Sequence, residues 1–404
     1  MPIEVRPIAE PELATMLEVD RRSFGAPPRP PDRADSWVRA ELERTQCAFD
    51  GGTLIGCSRA YSFELTMPGG ECVPVAGVSS VAVQPTHRRR GVLTAMIGAV
   101  HDDARERGEL ASTLTASESI IYKRFGYGAA TWRLGCSLAR AHARLARPVL
   151  DPGCVRLVTR GEADALYREV YEQARVARAG MVSRPDYWWP EVFWAPDTGR
   201  ALFDVVHEDA GGHVDGYVSY EIKGEWYGGF ADREMFVWDL QATNPIARAA
   251  LWEFVFGVDL VVKFVATNLP ADEPLRFMLA DPRQMRTEFF NDSLWVLPLD
   301  VAALLSARTY ASAGKLTIEV VDPESACARF VLEGGPDGSS CRESASSSAD
   351  LTCSRATLGA LLLGGNSWAT LREAGEVDAH VPGAVAKADA MFATAPVPAT
   401  LTWF

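Results

Sequence analysis

Residues 78 to 108 constrain the fold more than any other stretch. Val78 to Val83 is dense in β-branched residues and reads as a strand. A tight basic loop follows, Gln84-Pro85-Thr86-His87-Arg88-Arg89-Arg90-Gly91. A helix is then predicted over Arg90 to Arg107, because Val92, Leu93, Met96, Val100 and Ala104 fall on one face and Gly108 can end it. Leu110 to Thr115 reads as the next strand. Strand, short loop, helix and strand together demand a layered, mixed α/β fold.

The loop also suggests chemistry. The first N–H groups of a helix lack partners and carry partial positive charge, so they form a seat for phosphate. Gly91 lets the backbone come close, and Arg88, Arg89 and Arg90 supply charge-assisted bonds in a chain whose net charge is −13. That acidic balance argues against nucleic acid or an anionic membrane surface as a partner. No apolar run is long enough to span a bilayer. The N-terminus lacks the apolar core of a signal peptide.

At 404 residues the chain should hold two or three domains. The first reads as strand (Ile3 to Ile8), helix from Pro11, a proline loop (Ala26 to Pro31) and a second helix from Ser36. A hairpin (Ala48 to Phe63) turns at Asp50-Gly51-Gly52, and a last strand is expected at Thr131 to Leu138. A boundary is expected near Ala141 to Gly153. The middle region repeats the pattern: a hairpin around Asp209 to Gly212, a strand at Met235 to Leu240, a helix opened by Asn244-Pro245 and a strand at Leu260 to Ala266. This is a degenerate internal duplication whose second copy lacks the glycine and the arginines, so no second cofactor site is expected. From Leu294 a smaller α/β unit begins, with paired strands at Leu316 to Val321 and Cys327 to Leu332. A Ser-rich surface loop or hairpin tip is expected at Ser339 to Asp350, and helices at Thr357 to Leu363 and Ala384 to Phe392.

Arg88-x-x-Gly91 in this setting resembles the acyl-CoA pyrophosphate loop of the GNAT N-acetyltransferases, although Leu93 stands where that family prefers Gly or Ala. The wider run Pro85 to Gly91, with Ala116-Ser117-Glu118 and Ile121-Tyr122-Lys123-Arg124-Phe125-Gly126-Tyr127-Gly128, is similar to the enhanced intracellular survival (Eis) acetyltransferases. The resemblance implies tandem acetyltransferase-like domains at 1–145 and 146–293, a sterol-carrier-protein-like domain at 294–404, and a homo-hexamer. It implies acetyl-CoA as co-substrate and a small-molecule primary amine, such as an aminoglycoside, as acceptor.

Site roles follow from the same resemblance. Val81 and Val83 hold the pantetheine arm; Arg88, Arg89, Gly91 and Val92 bind the pyrophosphate; Ser117 contacts the cofactor, or else only caps a helix. Tyr122 is the general acid, with Tyr127 as a rival by position. The C-terminal carboxylate of Phe404 is the general base, and the apolar ending Thr400-Leu401-Thr402-Trp403-Phe404 should be buried. Phe24, Trp37 and Trp403 would line the acceptor pocket, although Phe24 and Trp37 could equally be core. The family's acidic positions are replaced by Ala26 and Trp403, which predicts a more apolar pocket, with Glu64 or Glu118 as possible replacements.

Two other readings stand beside this one: a dedicated natural-product amine acetyltransferase, and a non-catalytic acyl-CoA or lipid binder. No G-x-S-x-G elbow is present, which argues against a serine hydrolase. The histidines show no metal-ligand spacing, so no metal is expected. The eight cysteines are scattered without a C-x-x-C pair, as in a reducing cytoplasm.

Overall fold

The computed structural model describes residues 3–26, 40–192, 202–322, 325–346 and 348–404. The first strands are β1 (Glu4–Pro7), β2 (Thr45–Asp50), β3 (Thr53–Thr66), β4 (Cys72–Val83), β5 (Ala111–Thr115) and β6 (Gly128–Ala129). Next come β7 (Trp132–Ala139), β8 (Cys154–Val158), β9 (Leu202–Glu208), β10 (Val214–Tyr227), β11 (Phe230–Ala242), β12 (Lys263–Pro270), β13 (Arg286–Asp292) and β14 (Leu294–Pro298). The last are β15 (Gly314–Asp322), β16 (Ser325–Gly335), β17 (Gly338–Glu343), β18 (Leu351–Ser354) and β19 (Val377–Ala379). They form two 7-stranded sheets, β1-β2-β3-β4-β5-β14-β6 and β13-β7-β12-β11-β10-β9-β8, and a 5-stranded sheet, β17-β16-β15-β18-β19.

The duplication is plain in this topology. Helix Val92–Glu106 links the parallel pair β4 and β5, and helix Pro245–Gly257 links the parallel pair β11 and β12. The two helix starts differ. Asn244 accepts hydrogen bonds from the N–H groups of Ile246 and Ala247, so a side chain already occupies that terminus. Gly91, in the left-handed region at φ 79°, caps the other helix with no side-chain bond.

Two strands cross the expected domain boundaries. β7, expected to close the first domain, lies in the second sheet between β12 and β13. β14, expected to open the third domain, lies in the first sheet between β5 and β6. The second sheet is therefore built from the consecutive strands β7 to β13, and the first is completed by β14, which follows all of them in the chain. A strand's alternation predicts its existence but not its partner, so this sheet membership could not be read from local pattern.

The third unit is not an appendage. One buried cluster joins Phe63 and Leu65 of β3, Val296 of β14, Ile318 of β15 and Phe404. A Cβ placed on Gly128 would meet Ala356 O at 1.8 Å, and one on Gly359 would meet Val296 O at 2.1 Å, so β6 and β14 touch helix Arg355–Leu361 through glycines. The Ser339 to Asp350 reading is corrected in its first half. Gly338–Glu343 is a strand paired with β16, and Ser339 Oγ is held near three carbonyl oxygens. Helix Arg160–Val176 was not anticipated, although Thr159-x-x-Glu162 ahead of Leu166, Tyr167 and Val170 is a capping-box signature. The proposed helix from Ser36 lies outside the described residues.

Candidate active site

The cleft starts where β4 and β5 part. Their pairing runs from Val75↔Ala111 to Val78↔Leu114 and stops there. On its other edge β4 bulges against β3: Cys57 faces Ala82 while Arg59 faces Ser79. Ser80 takes φ 49° in this bulge, and Cys57 Sγ donates to its carbonyl at 3.3 Å. A bulge re-aims backbone groups. Here it leaves the stretch after Val78 without a ladder partner on the β5 side, at the rim of a cavity of about 860 Å³.

The cavity is shared by both acetyltransferase-like units and the C-terminal residues. Val81, Ser117, Tyr122 and Phe24 reach it from the first unit; Trp403 and Phe404 reach it from the tail. These are the expected residues that the fold brings together. Val83 packs instead beside Ile55, Val92 and Met96, and the Val92 side chain is core, so only the backbone of that residue faces the loop. Arg88 and Arg89 are exposed at the helix start, Arg89 at φ 62°. Arg90 is held 3.1 Å from Asp50, and His87 stands 3.6 Å from the same carboxylate. Trp37 lies outside the described residues.

Tyr122 is 5% exposed. Burial raises its phenol pKa, the nearby Ser117 hydroxyl opposes that rise, and the Glu118 charge adds to it. The phenol is thereby kept protonated, the state a proton donor needs. Tyr127 is walled off. Its hydroxyl lies 2.9 Å from His101 Nε2 and 2.6 Å from Ser112 Oγ, fully buried and absent from the cavity wall.

Thr400, Leu401, Thr402 and Phe404 are buried as expected, whereas Trp403 is exposed, and the tail has no strand pairing. Residues of the second unit hold it by hydrogen bonds. Arg184 Nε donates to Thr402 Oγ1 at 2.9 Å, and Asn268 Nδ2 donates to Leu401 O at 2.7 Å. Thr400 Oγ1 donates to Gly180 O at 2.6 Å. The Phe404 ring packs edge-on against Phe63, centroids 5.0 Å apart, above Gly77, where a Cβ would collide with Phe63. Gly77 therefore makes room for the Phe63 ring on which the last residue packs.

Several wall residues had not been singled out. Arg184, from the segment between the sheets, pairs with Asp239 Oδ2 at 2.8 Å, and Tyr217 donates to the same oxygen at 2.9 Å. Glu221 and Lys223 form an ion pair at the cavity edge. Asp20, on helix Leu13–Ser23, lines the cavity. Burial pushes its carboxyl up to about 6, against the pull of Arg59 and Arg21. Of the proposed replacements, Glu64 pairs with Arg175 away from the cavity, and Glu118 is exposed beside Tyr122. Among the described residues no group of three or more His, Cys, Asp or Glu side chains could hold a metal ion, and no helix is long and apolar enough to cross a membrane.

A parallel pair that splays beside an uncapped helix start, with a protonated phenol in the cleft, defines an acyltransferase of the GNAT type. Residues 4–130 and 180–296 each match an acetyltransferase (GNAT) domain, and residues 301–400 match a sterol carrier protein domain. An uncharacterized N-acetyltransferase of Streptomyces avermitilis is 35% identical, with 98% of each chain covered. N-acetyltransferase Eis of Mycobacterium tuberculosis is 33% identical over 85% of this chain and 84% of its own. The crystal structure of Eis1 from Mycobacterium abscessus superposes with a TM-score of 0.87 at 35% identity, covering 100% of both chains. The chain belongs to the Eis family of N-acetyltransferases.

Proposed function

We propose that this enzyme transfers the acetyl group of acetyl-CoA to a primary amine in the cavity between its two acetyltransferase-like units. The observation that carries this is the convergence of Val81, Tyr122 and Phe404 on one cavity. The residues present suit the co-substrate. The uncapped N-terminus at Gly91, with Arg88 and Arg89 exposed beside it, fits a pyrophosphate. The unpaired edge of β4 after Val78 offers backbone groups to an amide-bearing arm. The second unit offers no equivalent, because Asn244 fills its helix start.

Acetyl-CoA supplies an activated thioester. In the transfer the amine nitrogen bonds to the acetyl carbon and the C–S bond breaks. The Phe404 carboxylate takes the proton leaving the amine, and Tyr122 gives its proton to the departing sulfur. Clamping of Leu401 and Thr402 by Asn268 and Arg184 fixes where that carboxylate stands. Aminoglycosides and related amines are the candidate acceptors, with a single natural-product amine as the second reading, favoured by the aromatic wall and by Ala26 and Trp403. We place the enzyme in the cytoplasm, since all eight cysteines are free thiols, and expect a homo-hexamer, six times the 43.9 kDa of one chain by light scattering.

The test follows free thiol release from acetyl-CoA with a panel of amines. Tyr122→Phe, and separately a chain extended by glycines after Phe404, should each lower kcat tenfold or more while acetyl-CoA still binds. Undiminished turnover in both would overturn the acid and base assignments. Failure to bind acetyl-CoA would overturn the transferase reading.

A further inference from the structure

The second unit lacks the phosphate seat of an acyl-CoA cleft but keeps the opening. β11 and β12 pair from Glu234↔Lys263 to Val237↔Ala266 and no further, just as β4 and β5 stop at Val78↔Leu114. On its other edge β11 bulges against β10. Tyr220 faces Val237 and Ser219 faces Asp239, so the register passes over Trp238. A bulge beside a parted pair re-aims backbone groups. In the first unit this opening adjoins an uncapped helix start; in the second, Asn244 fills that start.

The chain's own end lies in the second opening. Asn268, two positions past the last pair on β12, donates to Leu401 O at 2.7 Å. Asp239, two positions past it on β11, holds Arg184 at 2.8 Å. Arg184 in turn donates to Thr402 Oγ1 at 2.9 Å and to Leu401 O at 3.5 Å. Tyr171 donates to Val182 O at 2.6 Å, which leaves its oxygen to accept from the Thr402 hydroxyl at 2.7 Å. The Leu401 side chain joins the buried cluster of Tyr171, Met181 and Tyr217. Arg133 of β7 stacks 4.4 Å over the Trp403 ring. These partners belong to the second sheet or to residues 171–184 packed against it.

We propose that the parted strands of the second unit are a peptide-binding groove, whose occupant is the chain's own Thr400 to Phe404. A pantetheine arm and a peptide share the amide as their repeating polar group, so an opening that suits one suits the other. The degenerate copy thus holds a chain end where an active copy holds a cofactor arm. Asn268 and Arg184 are positioning residues that set how far the terminal carboxylate reaches into the first unit's cleft. That last step rests on the reading of Phe404 as the base; the groove itself rests on the contacts above.

Carboxypeptidase A takes a C-terminal aromatic residue only from a chain end that has left its seat, so release of Phe404 from the intact enzyme reads undocking. Asn268→Ala and Thr402→Val should each quicken that release about fivefold or more, the order of one lost neutral hydrogen bond. Both should also lower kcat, with the acetyl-CoA Kd by calorimetry unchanged. Asn244→Ala removes a helix cap of the same unit outside the cavity and should leave release as it is. Unchanged release in both groove variants overturns the groove, whatever kcat does. Equal quickening by Asn244→Ala overturns it too, because the loosening is then general. Faster release with kcat unmoved leaves the groove standing and overturns Phe404 as the base.

Discussion

Tyr122 and Tyr127 stand five positions apart and have opposite surroundings. One phenol opens on the cavity; the other is enclosed by His101 and Ser112. The cost of that enclosure falls on His101. Burial, with the Arg105 charge, holds its imidazole down to about 4. The unfolded chain takes up a proton there below pH ~6.5, and the folded chain refuses it until about pH 4. His101 therefore contributes stability that is complete above pH ~6.5 and declines as acid is added, by about 3 kcal/mol across the window. Urea unfolding at pH 7 and pH 5 measures it, and His101→Asn should remove this share of the acid loss. At this scale the sequence was informative where a residue sits inside a motif, as Tyr122, Ser117 and Val81 do. It was silent on Asp20, Arg184 and Asp239, because a lone acid or base on a helix or strand looks like any solvated charge until tertiary packing puts it on a wall.

The paired helices show how much one terminal residue decides. Asn244 satisfies its own helix, so Asn244→Ala should cost about 1 kcal/mol of stability, with acetyl-CoA affinity unchanged. Gly91 has open space around its Cα, so the demand there is its φ of 79° alone. Gly91→Ala pays roughly 1–2 kcal/mol for the left-handed backbone, and isothermal titration should read this as an acetyl-CoA Kd raised about tenfold. Both helices were legible because cap, period and terminator agree in the sequence. The elements that escaped were those whose meaning is relational: the strand Gly338–Glu343, concealed by its serines, β7, read as a strand of the first unit, and β14, whose start was read only as a domain boundary.

For the whole molecule, three sequence matches overlie a fold that is not three beads. The backbone-close contacts of Gly128 and Gly359 bind the sterol-carrier-like unit to the first sheet. Gly359→Val should therefore destabilise the first unit as well, by ~3 kcal/mol or more of overpacking, and a single calorimetric transition should move as one. The return of β14 to the first sheet also bears on synthesis. β5 must wait at Thr115 for its neighbour Leu294, roughly 180 residues of chain that a ribosome delivers at ~5–20 residues per second. For roughly 10 to 35 seconds the nascent N-terminal half exposes an unpaired strand edge, which makes this chain a natural client for protection while it is being made.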